Sequence, residues 1–214
     1  MAPTQEQFRA LFEPRGVVVA GASSHPGKFG FVCLHNLLAG GYEGRVFATN
    51  RDGVQVLGLD CLTSIDQVPD GAADLVFICT PASTNVELLR DCARKGIRAA
   101  FVASAGYGEA GDEGRAAEAE LVRVADECGI LLAGPNGQGV VSPPAKLCAQ
   151  IVAPNPPRGH IGVASQSGNF VSTFENFAQH SGIGISRAVS AGNSAAVTVP
   201  DFLGVRYEGN VARF

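Results

Sequence analysis

The chain has 214 residues, 46% hydrophobic and 17% charged, with 20 acidic against 16 basic residues and a formal net charge of −4. That balance excludes a surface built for non-specific attraction to nucleic acid or anionic lipid. No apolar run approaches the ~20 residues of a membrane-spanning helix. The amino terminus, Met-Ala-Pro-Thr-Gln-Glu-Gln, carries no basic and apolar leader, so a cytoplasmic protein is expected. The cysteines are Cys33, Cys61, Cys79, Cys92, Cys128 and Cys148. None forms a Cys-x-x-Cys pair or stands at ligand spacing from a histidine, so reduced thiols and no metal site are expected.

In chain order, Thr4 to Gln7 reads as a capping box ahead of Phe8, Leu11 and Phe12, a short helix ended by Pro14 and Gly16. An apolar run at 17–20 is the first strand. The loop 21–30 follows, Gly-Ala-Ser-Ser-His-Pro-Gly-Lys-Phe-Gly, and then a helix on Phe31, Leu34, Leu37 and Leu38. Strand, glycine loop and helix together present backbone N–H groups and a positive helix end to a phosphate. The glycine spacing is irregular, with Gly21, Gly27 and Gly30 where a dinucleotide fingerprint wants Gly-x-Gly-x-x-Gly. After the second strand, 45–49, a classical NAD site has an acidic residue; this chain has Asn50 and Arg51. A cation there suits a phosphorylated ribose, as in NADP or coenzyme A.

Strands at 74–79, 99–103 and 130–133 alternate with helices, Ser83 or Thr84 capping the first of these. The loops 104–108 (Ser-Ala-Gly-Tyr-Gly) and 134–139 (Gly-Pro-Asn-Gly-Gln-Gly) end the last two strands. Five strands in this rhythm predict a doubly wound parallel sheet whose crevice lies at the strands' carboxyl ends. Pro143, Pro144, Pro154, Pro156 and Pro157 mark a linker over 142–159. The pattern then restarts with a strand at 161–164, the loop 165–169 (Ser-Gln-Ser-Gly-Asn), a helix on Phe170, Phe174 and Phe177, a strand at 185–189 and a helical start near Asp201 leading to Val211. A unit this small buries too little apolar surface to stand alone. It is expected to pack on the first unit, on another copy or on a continuation.

Four features in this order resemble the CoA-binding α part of the NDP-forming acyl-CoA synthetases, the superfamily of succinyl-CoA and ADP-forming acetyl-CoA synthetases. They are Gly21-Ala22-Ser23-Ser24 with Gly27-Lys28 and Gly30, Ser104-Ala105-Gly106-Tyr107, Gly134-Pro135-Asn136, and Ser165-Gln166-Ser167-Gly168; Gly192-Asn193 and Asp201 fit as well. The resemblance implies an α/β chain with a Rossmann-like doubly wound parallel sheet as CoA-binding domain (1–141). The linker and the first half of a flavodoxin-like succinyl-CoA-synthetase-type domain (160–214) follow. It implies that Gly21, Ser23, Ser24, Gly27, Lys28 and Phe29 lie along the CoA nucleotide, with Asn50 and Arg51 near its adenosine phosphate. Ser104, Ala105 and Gly106 would line the pantetheine arm, and Asn136 would sit near the acyl and phosphate chemistry. Ser165, Gln166, Ser167 and Gly168 would open a helix whose amino end stabilises a phosphohistidine.

The chain departs from the family pattern at Gly137, where the family commonly has cysteine after Gly-Pro-Asn. The family's phosphorylated histidine lies downstream of anything here, so no catalytic residue is assigned, and of His25, His35, His160 and His180 only His25 is expected near ligand. The implied activity is reversible conversion of acyl-CoA, phosphate and NDP to acid, CoA and NTP. Magnesium and the nucleotide would enter only through an ATP-grasp β subunit or downstream domain, and a homo-oligomer is left open. A CoA-sensing regulatory module is the alternative. An NAD(P)-dependent oxidoreductase is a further one, disfavoured by the glycine spacing and the missing acidic residue after the second strand.

Overall fold

The computed structural model describes residues 3–203. Helix α1 (Gln5–Phe12) begins at the expected capping box: the Thr4 hydroxyl accepts from the Gln7 N–H, and the Gln7 side chain accepts from the Thr4 N–H. The strands of the first unit are β1 (Gly16–Ala20), β2 (Arg45–Thr49), β3 (Gln55–Val56), β4 (Leu59–Asp60), β5 (Leu75–Ile78), β6 (Ala99–Val102) and β7 (Leu131–Ala133). A small hairpin takes β3 and β4; the other five form a parallel sheet in the order β2-β1-β5-β6-β7.

The sheet is covered on both faces, so β1, β5 and β6 are buried along their whole length. The two-residue period of β1 shows how. Val17 and Val19 join Leu11 of α1 with Leu34 and Leu37 of α2 (Phe29–Ala39). Val18 and Ala20 face the other way, toward Leu89 and Cys92 of α3 (Asn85–Arg94) and Leu121 of α4 (Asp112–Glu127). This is the doubly wound architecture. A single parallel bridge sets Leu62 beside Thr49 on the outer side of β2. Counting Leu62 as a one-residue edge strand gives the strand order of the dinucleotide-binding fold, with the strand order reversing between β1 and β5.

Two local expectations are corrected. Thr84 does stand at the N-cap of α3, but it makes no side-chain cap bond: a 3-10 turn (Ala82–Thr84) precedes the helix, and the Thr84 hydroxyl donates to the Pro81 carbonyl instead. The segment 142–159 is not simply a linker. It completes β8 (Gly139–Ser142), turns through Pro143–Ala145 and forms β9 (Leu147–Gln150). Pro143 and Pro144 open that turn, where a missing N–H costs nothing, and Leu147, Cys148 and Ala149 are buried.

This hairpin belongs to a second sheet, order β10-β11-β8-β9, with β10 (Arg158–Ser165) and β11 (Ile185–Ser190) parallel and the other pairs antiparallel. Helix α5 (Gly168–Ser181) connects β10 to β11, and α6 (Val199–Leu203) follows. The helix expected to run on toward Val211 lies outside the described residues beyond Leu203.

The second unit packs on the first. Val140, Leu147, Ala149, Val189 and Phe202 share one apolar cluster with Phe8, Leu11, Phe12 and Leu34. Phe202 of α6 is fully buried, edge-on to Phe8 and Phe12 at 5.8 and 6.2 Å between ring centroids. Burying such a ring contributes about 2–3 kcal/mol. Across the same seam, Asn36 of α2 donates to the carbonyls of Gln150 and Val152 at 2.9 and 2.7 Å. Among the described residues no helix is long and apolar enough to cross a membrane.

Candidate functional site

The loop 21–30 is held from below. Gly21 has φ +86°, and a Cβ there would meet the Cys79 and Thr80 backbone at 3.1 Å, so only glycine turns the chain here. The N–H groups of Gly21 and Ala22 donate to the Thr49 carbonyl at 3.1 and 2.9 Å. Asn50 is a strut to the same loop: its Nδ2 donates to the Ala22 carbonyl at 2.7 Å. The outer half of the loop is stitched by side chains. The Ser23 hydroxyl accepts from the His25 N–H, and His25 Nδ1 accepts from the Gly27 N–H, both at 3.1 Å. His25 is thus a turn-former.

Ser24, Gly27, Lys28 and Phe29 stand exposed above the turn. Lys28 caps α2 without a side-chain bond, so the first N–H groups of α2 face outward with the positive end of the helix. Arg51 projects into solvent with its side chain 93% exposed, 3.5 Å from Asp52.

A cleft of about 380 Å³ runs between the sheet end and α5. One wall carries Phe29, Ala105 and Asn136; the other carries Gln166, Ser167 and Gly168. Ser167 caps α5 by accepting from the Phe170 N–H at 3.3 Å, and Ser165 accepts from the Ser167 N–H at 3.1 Å. Gly168 and Asn169, ahead of the capped Phe170 N–H, line the cleft, and such a helix end favours an anion.

The structure brings the expected residues together unevenly. Ser104 is buried rather than lining the cleft; its hydroxyl accepts from Asn85 Nδ2 at 3.3 Å. Asn85, itself fully buried, also donates to the Tyr107 hydroxyl and accepts from the Thr80 hydroxyl, at 2.8 and 2.7 Å. This knot fixes the loops after β5 and β6. Gly106 has φ +101°, and its N–H donates to Glu109 Oε1 at 2.6 Å. Burial pushes the Glu109 carboxyl up, but the Asn193 amide and the Gly106 and Tyr107 N–H groups outweigh it and hold it below the usual range.

Sequence reasoning missed Gln138, which lines the cleft between the two walls. Its N–H donates to the Ser190 hydroxyl at 3.0 Å, and its Nε2 donates to Asn169 Oδ1 at 3.2 Å. Its place after Gly137, in a loop at a strand's carboxyl end, was the available signal. Gly137 also explains the departure from the family pattern: a Cβ there would stand 2.6 Å from Phe101 Cζ, and Phe101 is fixed by stacking on Phe77 at 5.2 Å. The other three histidines lie off the cleft. His35 stacks on Phe31 in α2, His160 is exposed on β10, and His180 Nδ1 meets the Asn176 carbonyl at the far end of α5.

Residues 15–143 match the family described as CoA binding domain, and residues 158–208 match the family described as succinyl-CoA ligase like flavodoxin domain. The chain is 37% identical over 193 residues to an ADP-forming acetate–CoA ligase I of Archaeoglobus fulgidus, across 90% of this chain and 28% of the relative. It is 36% identical over 200 residues to the α subunit of an ADP-forming acetate–CoA ligase I of Pyrococcus furiosus, across 92% of this chain and 43% of that subunit. It spans less than half the length of either relative. The solved structure of the dinucleotide-forming acetyl-coenzyme A synthetase 1 of Ca. Korarchaeum cryptofilum, in complex with phosphate and ADP, aligns at TM-score 0.86 and 33% identity, across 94% of this chain and 42% of that one.

Proposed function

The chain belongs to the CoA binding domain family, and we propose that it is the CoA-binding part of an NDP-forming acid–CoA ligase. The nucleotide of CoA lies over the loop 21–30, with Lys28, Arg51 and the amino end of α2 meeting its phosphates. The pantetheine arm runs past Phe29, Ala105 and Asn136 and brings the thiol to the amino end of α5. A phosphoryl group in transit between acyl phosphate, phosphohistidine and NDP would rest at that end, held electrostatically rather than by acid–base chemistry. Magnesium and the nucleotide would come with a partner subunit or domain of the ATP-grasp type.

One observation carries this reading. The cleft juxtaposes the carboxyl ends of the first sheet with an anion-favouring helix end of the second unit. Neutral residues line the path between them, as an uncharged pantetheine arm requires.

The test is calorimetric titration with CoA, dephospho-CoA and NAD in parallel. Micromolar CoA binding is expected, about tenfold weaker for dephospho-CoA, which lacks the 3′-phosphate that a cation such as Arg51 would meet. The purified chain alone is expected to form no acyl-CoA until the partner is supplied. Clear NAD binding without CoA binding would overturn the reading.

A further inference from the structure

We propose that Gln138 is a positioning residue that holds the amino end of α5, by way of Asn169, where it receives a phosphoryl group. The proposal rests on the reading above and deepens it.

Gln138 stands where the chain crosses from β7 of the first sheet to β8 of the second. Its main chain is pinned on both sides. The N–H donates to the Ser190 hydroxyl, at the end of β11, at 3.0 Å. The carbonyl accepts from the Ile151 N–H, just past β9, at 2.8 Å. Gly137 before it closes on Phe101 of the first sheet, where a Cβ would stand 2.6 Å from Cζ. The residue is thus a fixed base between the two units.

Its side chain leaves that base and reaches the first two residues of α5. Nε2 donates to Asn169 Oδ1 at 3.2 Å. Cγ and Cδ lie against Gly168, where an added Cβ would meet each at 2.4 Å. All three residues line the cleft. Among the described residues the Asn169 bond is the one hydrogen bond of this amide, because Oε1 is buried without a partner. The Ser167 cap is different in kind. It bonds within α5 and its lead-in, so it shapes the turn without tying it to anything outside. The attraction of a helix end for an anion is confined to its first turn. A displacement of that turn therefore displaces the whole attraction, and the Gln138–Asn169 bond opposes it. None of these contacts involves the loop 21–30, so the tie acts on phosphate and not on the nucleotide of CoA.

The test titrates inorganic phosphate and CoA separately into the full chain. Phosphate is followed through the backbone N–H resonances of Gly168 and Asn169, CoA by calorimetry. Gln138→Met keeps the length of the side chain and its packing on Gly168 and removes the amide. It is expected to weaken phosphate about fivefold and to leave CoA within about twofold. Thermal stability is expected to hold or rise, because the unpartnered oxygen goes as well. Asn169→Ala, at an exposed position, is expected to lose at least as much phosphate affinity. The double variant is expected to be no weaker than Asn169→Ala alone, since Gln138 acts through Asn169. Unchanged phosphate affinity in Gln138→Met would overturn the proposal. So would losses that add in the double variant, or a CoA loss as large as the phosphate loss. If Gln138→Met does not fold, Asn169→Ala carries the test, and phosphate affinity equal to that of the unsubstituted chain sinks the proposal. Phosphate that leaves both resonances of the unsubstituted chain unmoved would instead overturn the reading of this helix end as a phosphate site, and the proposal with it.

Discussion

Gly30→Ala is expected to lower stability by about 2–3 kcal/mol and to weaken CoA binding by well over tenfold. Gly30 opens α2 and is fully packed against the turn at the end of β1. A Cβ built on it would lie 2.8 Å from the Gly21 carbonyl carbon and 2.9 Å from the Ala22 Cα. These are backbone atoms, already tied to Thr49 and Asn50, so they cannot swing aside as a side-chain tip would. The helix would have to lift, disturbing Cys33, Leu34 and Leu37, all without solvent exposure. The same lift would carry the amino end of α2 away from the bound phosphates. Gly27→Ala is the control. There a Cβ meets only the His25 ring, at 3.3 Å, and that ring can yield, so a stability change below about 1 kcal/mol is expected. Thermal unfolding of the two variants checks this, with a fall of about 5–10 °C expected for Gly30→Ala. Equal unfolding temperatures would mean that close packing of helix on strand is not what this glycine provides.

The alternation of apolar runs with glycine-ended helices was enough to read the parallel sheet, because strands covered on both faces are continuously apolar and their loops concentrate small residues. The loops that line the cleft were legible for the same reason. What escaped depended on partners distant in sequence. Ser104 has the residue type and position of a ligand contact, yet Asn85, on another helix, takes its hydroxyl inward. Five prolines suggested a linker, while the four-residue run of β9 between them was too short to declare itself and gains its burial from α2 and β8. Gln138 gave no periodic signal, and its importance comes from α5, which arrives beside it through the second sheet.

Glu175 predicts a stability profile that runs against the usual behaviour of acidic groups. It sits on the inner face of α5, fully buried, and among the described residues neither carboxyl oxygen has a hydrogen-bond partner. Burial pushes its carboxyl up to about 8, against a smaller downward pull from the Gln150 amide. That pull is weak because Gln150 Nε2 is already directed to the Pro154 carbonyl and the Cys148 sulfur. In the unfolded chain the same carboxyl titrates near 4.3. Below that pH it is protonated in both states and carries no penalty. As pH rises from about 4.3 to 8, the unfolded chain releases the proton and the folded chain keeps it. Stability therefore falls, by at most about 5 kcal/mol in all, and levels off above pH 8. Glu175→Gln keeps the shape and cannot ionise. It is expected to exceed the unsubstituted chain in stability by about 3 kcal/mol at pH 9, the buried amide offsetting part of the gain, and to lie within about 1 kcal/mol of it at pH 5. Urea unfolding of both proteins at pH 5, 7 and 9 measures the difference directly. A gap that stays constant across the series would show that Glu175 is ionised in the folded chain, and that a compensating charge must then face it inside the second sheet's core.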